Sequence, residues 1–163
     1  MKLLLILGFV LFAMDPCQVR PKPVSFAEVN DHCRSDHPTK YTKLRGKLLD
    51  RGDVICGDMP GGNHCEMFFG DGSADSSIVR VLLKGGKAVE GATPRGRILY
   101  KTESDNEGTK PVTVRFDSVS VFDMNGVKIN IPDEKFEISG TLSWDEQTQQ
   151  CTQRNIQLIE RVK

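Results

Sequence analysis

The residues best able to do chemistry are five cysteines and three histidines, and their spacing decides which chemistry is open to them. Asp31-His32-Cys33 and Asn63-His64-Cys65 each set a histidine beside a cysteine, with His37 near, a donor set suited to zinc or copper. Adjacent residues on a strand point to opposite faces, and neither C-x-x-C nor H-x3-H spacing occurs, so the two pairs are badly placed to share one ion. No metal and no other cofactor is expected. Cys33, Cys56, Cys65 and Cys151 form an even set once Cys17 is lost or lipidated, and an oxidising compartment would join them as two disulfides in one of three pairings. The glycine-rich run from Gly57 to His64 would let Cys56 meet Cys65, leaving Cys33 to staple the amino-terminal segment to Cys151.

Other motifs carry less. The Gly57 to Gly62 run lacks the Gly-Lys-Ser/Thr ending of a phosphate-binding loop. The paired acids Asp133-Glu134 and Asp145-Glu146 fall in turns, there is no Gly-x-Ser-x-Gly, and a Cys–His nucleophile would compete with the disulfides. No catalytic residue is therefore expected. Arg51-Gly52-Asp53 matches the integrin-recognition tripeptide, but a turn ending the first long strand accounts for Asp50-Arg51-Gly52-Asp53 equally well.

Location is read from residues 1–16. Lys2 is followed by an uncharged, mostly apolar run from Leu3 to Met14, the pattern of an export signal. As a helix that run would reach roughly 18 Å, well short of the ~30 Å hydrocarbon core. Cleavage is expected between Ala13 and Cys17, giving a secreted or periplasmic protein. Cys17 sits where a lipid-modified cysteine would, although Met14-Asp15-Pro16 does not resemble the small residues that normally precede one, so membrane attachment is expected only if Cys17 is lipidated. Residues 17–24, with Pro21 and Pro23, read as an extended leader, and residues 25–163 as a single domain. Basic and acidic residues balance at 22 each, so no global field draws the chain to nucleic acid or anionic lipid, and a polyanion would need a local patch.

The elements that must position these residues are mainly β. Ser25-Phe26-Ala27-Glu28 matches a capping box and predicts a short helix of about eight residues, its buried stripe Phe26, Val29 and Cys33, ending before His37-Pro38. Beyond Lys40 the sequence turns to short β-prone runs: 42–49, 65–69, 78–84, 97–102, 112–122, 127–131, 136–144 and 156–162. Asp71-Gly72, Ser104 to Gly108 and above all Asn125-Gly126 mark the turns between them. Val112, Val114 and Phe116 share one parity and Val119 and Val121 the other, which predicts a β-bulge near Asp117-Ser118. Val127, Ile129 and Ile131 are expected to face the core together, and 78–84, with no clean alternation, to be a central strand covered on both faces.

Leu44-Arg45-Gly46-Lys47-Leu48 and Ile138-Ser139-Gly140-Thr141-Leu142 repeat one pattern, with a glycine where a strand of a small closed barrel must coil. Together with the closing strand Asn155 to Glu160, this order resembles an OB-fold, a small antiparallel five-stranded Greek-key β-barrel, here preceded by one short N-terminal helix. It departs from that fold in having no clear helix after the third strand and an additional hairpin at 112–131. A lipocalin-like barrel is the structural rival, opposed by the missing Gly-x-Trp. The resemblance implies binding of an oligonucleotide or oligosaccharide across one face. Arg45, Lys47, Arg80, Lys84, Arg97 and Lys101, with Tyr41, Phe68 and Tyr100, supply the basic and aromatic mixture such a face would use. The same cations also read as a solvated outer face. The function expected is a binding module for a protein, glycan or single-stranded polyanion; the alternative is a structural or protective envelope protein without a small ligand.

Overall fold

The computed structural model describes residues 23–34, 41–59, 62–73, 78–88, 94–101 and 111–162. The expected signal, Cys17, the His37-Pro38 boundary and the Ser104 to Gly108 loop lie outside these residues. In chain order the elements are β1 (Pro23–Val24), α1 (Val29–Arg34), β2 (Tyr41–Leu49), β3 (Val54–Met59), β4 (Gly62–Gly70), β5 (Val79–Lys87), β6 (Arg97–Tyr100), β7 (Val112–Val114), β8 (Val119–Phe122), β9 (Lys128–Ile129), β10 (Phe136–Asp145) and β11 (Gln150–Arg161).

Alternation decides which side of each strand is buried. Leu44, Gly46 and Leu48 of β2 point inward while Arg45 points to solvent, and Val79, Val81 and Leu83 of β5 do the same against half-buried Arg80 and Leu82. β5 is thus covered on one face and only partly on the other. Its expected central place holds, since it pairs with β4, β6 and β11.

The pairings close into a ring of five strands. β2 pairs antiparallel with β4, β4 with β5, β10 with β11 and β10 with β2, while β5 and β11 run parallel. Two glycines permit this curvature. A Cβ on Gly46 would lie 2.3 Å from the Gly70 carbonyl oxygen, and one on Gly140 would lie 2.5 Å from the Arg154 oxygen. At Gly140 the β10–β11 register also slips, Ser139 facing Leu158 while Thr141 faces Arg154, with Asn155 in the left-handed region at φ 50°.

Inside the ring, Phe69 lies between Phe26 and Phe136, with ring centroids 5.7 and 5.1 Å apart. Phe26, Val29 and Cys33 are all buried in the same cluster, as the helix stripe requires. The helix itself has six residues rather than about eight, and its start differs from a capping box. The Ser25 hydroxyl donates to Glu28 Oε2 at 2.7 Å, and the Glu28 N–H binds the Ser25 carbonyl at 3.1 Å. Cys33–Cys151 and Cys56–Cys65 are both disulfides, with Cα atoms 6.0 and 4.1 Å apart. The first ties α1 to β11, and the second joins directly opposed residues of β3 and β4.

Three further expectations about the strands need correction. The described parts of the glycine-rich segment before Cys65 are strand: β3 pairs with β4 from Ile55 to Met59, and Gly57 is required because a Cβ there would lie 2.6 Å from Pro111 Cα. The strand expected at 112–122 is broken rather than bulged. A 3-10 turn at Phe116–Ser118 separates β7, which pairs with β3, from β8, which pairs with β6. Part of the expected leader, Pro23–Val24, is a strand paired in parallel with β2.

Past the ring, the end of β5 carries a second sheet, β5-β6-β8-β9. Ile98, Tyr100, Val119, Val121 and Ile129 turn inward and join the ring's hydrophobic cluster.

Candidate anion-binding face

The expected basic and aromatic residues divide between the two sheets, and the division changes their meaning. On the ring's outer side Arg45 stands opposite Glu137, and the charges there are matched. Arg45 Nε and Nη2 donate to Glu137 Oε1 at 2.8 and 2.5 Å, and Lys43 Nζ donates to Glu137 Oε2 at 2.7 Å. Burial opposes the Glu137 charge, but the hydrogen bonds from Lys43 and Arg45 more than offset it and hold the carboxyl below its ordinary range. Arg80 is similarly engaged. Its Nε lies 3.1 Å from Glu66 Oε1, its Nη2 donates to Gln150 Oε1 at 3.1 Å, and Asp145 Oδ2 is 4.0 Å from Nη1. The Asp145 carboxyl is itself lowered, chiefly by the Thr148 backbone N–H. Phe68 stands opposite Arg80 and is half-buried, Lys84 stands opposite His64, Lys47 lies over Gly72, and Tyr41 is exposed at the start of β2. Tyr100 is 3% exposed and belongs to the core, so it cannot line a face; its parity on β6 points it inward with Ile98.

The second sheet is different. Alternation sends Arg97 and Leu99 of β6, Ser120 and Phe122 of β8 and Lys128 of β9 to the side away from the core, and Lys101, just past the end of β6, is exposed. The register puts Arg97 opposite Phe122 and Phe122 opposite Lys128, so a half-buried phenyl ring stands in one cross-strand row between two exposed cations. Arg95 is exposed two residues before Arg97. None of Arg95, Arg97, Lys101 and Lys128 enters an ion pair among the described residues.

The turn closing this sheet is held firmly. Asp123 is buried, and its Oδ1 accepts the N–H groups of Asn125 and Val127, both at 2.8 Å. Its carbonyl accepts from Gly96 at 2.8 Å, and the Met124 N–H reaches Ile159 of β11 at 3.0 Å. Asn125-Gly126 occupies this turn as expected, with Gly126 at φ 81°. Met124 and Val127 are left 40% and 44% exposed. Val127 therefore does not share the inward side of Ile129, because it lies in the turn before β9 begins.

Arg97 and Lys101 were legible as candidates in the sequence; Phe122, Lys128 and Arg95 were not singled out. The signal was present, since the inward parity of Val119 and Val121 and the turn at Asn125-Gly126 together send Phe122 outward beside Lys128.

Elsewhere, Asp50, Gly52, Asp53, Arg115, Phe116 and Asp117 line a groove of about 300 Å³ beside the exposed Arg51-Gly52-Asp53 turn. That turn is set by the Gly52 N–H donating to Asp50 Oδ1 at 3.1 Å. The cysteines beside His32 and His64 are consumed as disulfides. Comparison with protein-family models, with curated proteins and with solved structures finds no match.

Proposed function

We propose that this chain is a secreted or periplasmic binding module, an OB-like Greek-key barrel whose added β6-β8-β9 sheet takes an anionic partner. Two disulfides suit an oxidising, extracytoplasmic compartment. The Greek-key reading is supported by β10 returning over a long connection to lie beside β2, and by the parallel pairing of β5 with β11. The helix lies before the first ring strand rather than after the third, where this chain instead inserts β6 to β9.

The observation carrying the functional reading is the Arg97–Phe122–Lys128 row. Two cations with no ion pair among the described residues, flanking an aromatic ring, offer charge to an anion and a flat apolar surface to whatever carries it. On the ring, Lys43, Arg45 and Arg80 are already engaged by Glu137 and Glu66. A short oligothymidylate serves as the probe polyanion. With four cations engaged, its affinity should fall with salt at a log–log slope of about −3. Affinity that does not change with salt, or that survives Arg97→Glu with Lys128→Glu, removes this reading.

The second reading, a structural envelope protein without a small ligand, is favoured by the filled ring interior, where Leu44, Leu48, Phe69, Phe136 and Ile138 are fully buried.

A further inference from the structure

We infer that the anionic partner of the β6-β8-β9 sheet is a lipid surface, and that the Met124–Val127 turn is the part that enters it. This rests on the reading of that sheet as an anion-binding face. The cations by themselves do not separate a lipid surface from a soluble polyanion; the turn does.

Met124 and Val127 are two of the four large hydrophobic side chains left exposed among the described residues, and they share one turn. Met124 lies across the Gly96 backbone, so closely that a Cβ there would sit 2.4 Å from its sulfur. Gly96 has Arg95 and Arg97 as its chain neighbours, and Val127 precedes Lys128. Phe122 stands behind the turn between Arg97 and Lys128. An apolar projection collared by arginine and lysine is the arrangement that places hydrocarbon below a headgroup layer and cations at the level of its phosphates.

Two acidic groups near the turn among the described residues do not oppose this. Asp123 is buried with its carboxylate turned to backbone N–H groups. Glu134 is paired with Arg161. The turn is also preorganised by hydrogen bonds to Gly96 and β11, so docking orders no loose segment. A soluble polyanion would gain from the cations and from Phe122 but would leave Met124 and Val127 in water. Their joint exposure on a rigid turn therefore favours the lipid surface.

The test uses the full chain with both disulfides formed, vesicles of phosphatidylcholine with or without phosphatidylglycerol, and the oligothymidylate probe. Co-sedimentation should occur with phosphatidylglycerol vesicles and not with pure phosphatidylcholine. Met124→Gln with Val127→Thr, which keeps side-chain volume and so the fold, should weaken vesicle binding about tenfold and leave oligothymidylate affinity unchanged. Arg97→Glu with Lys128→Glu should weaken both by at least about twentyfold. Oligothymidylate binding without vesicle binding overturns the lipid inference and leaves the anion-binding face standing. Vesicle binding insensitive to the Met124 and Val127 changes overturns insertion of the turn. Binding to neither probe sinks both readings.

Discussion

Two outward faces of this molecule carry arginine and lysine, and they differ in whether those cations meet acids among the described residues. On the ring, Lys43 and Arg45 converge on Glu137, and Arg80 is held by Glu66 and Gln150. On the β6-β8-β9 sheet, Arg95, Arg97, Lys101 and Lys128 face solvent with no carboxylate partner among the described residues. The difference separates two uses of the same residue types. Where cations alternate with acids across a strand register they hold the scaffold, and where they flank an aromatic row without acids they are free to meet a partner.

The comparison breaks most visibly at the scaffold. Cys33–Cys151 spans 118 residues, so replacing both cysteines by alanine should cost about 5 kcal/mol in the chain-entropy model, against about 2–3 kcal/mol for the nine-residue Cys56–Cys65 link. Urea unfolding of the two double variants measures this; equal losses would show that loop length is not what matters here. The next largest effect belongs to Glu137. Glu137→Gln leaves the nearly buried Lys43 only the more distant Glu160 carboxylate, at 3.8 Å, and should cost about 2–3 kcal/mol while leaving oligothymidylate affinity at the wild-type value. Loss of binding in that variant would erase the distinction between the two faces.

Acid should act on the same cluster. Glu137 has a folded pKa below its ordinary 4.5, so its contribution is fully present above about that pH and is lost as pH falls through the lower folded value. Glu134 acts in the same sense, lowered first by the Asn130 backbone N–H and then by Arg161. Stability followed from pH 7 downward should hold until near 4.5 and then decline, and Glu137→Gln should flatten part of that decline. The smallest effect on stability belongs to the second face. Arg97→Glu with Lys128→Glu should shift unfolding by no more than about 0.5 kcal/mol while abolishing salt-dependent anion binding, the reverse of the Glu137 pattern.

Local signals made much of this molecule legible before any tertiary structure. The stripe Phe26, Val29, Cys33, the Leu44-Arg45-Gly46-Lys47-Leu48 pattern of β2 and the Asn125-Gly126 turn each depend on residues a few positions apart, whereas the alternation of β5 emerged only in the structure. Loop flexibility around Gly57 to Gly62 pointed to Cys56–Cys65, and the remaining two cysteines then had each other. β3 was hidden because its glycine, aspartate and flanking proline look like a loop, and only contact with Pro111 across β7 explains why glycine is needed there. Tyr100 was placed on the binding face because aromatic content alone carries no direction.

Sequence alone therefore determined the β character, the glycine positions that allow curvature and the cysteines fit to bond, because these follow from backbone sterics and short-range periodicity. Tertiary structure alone decided which cations are paired with acids among the described residues. Glu137 lies far along the chain from Lys43 and Arg45, and only the β2–β10 register brings them within hydrogen-bond reach. Charge is neutralised through space, over a few ångströms, and chain order does not record that distance.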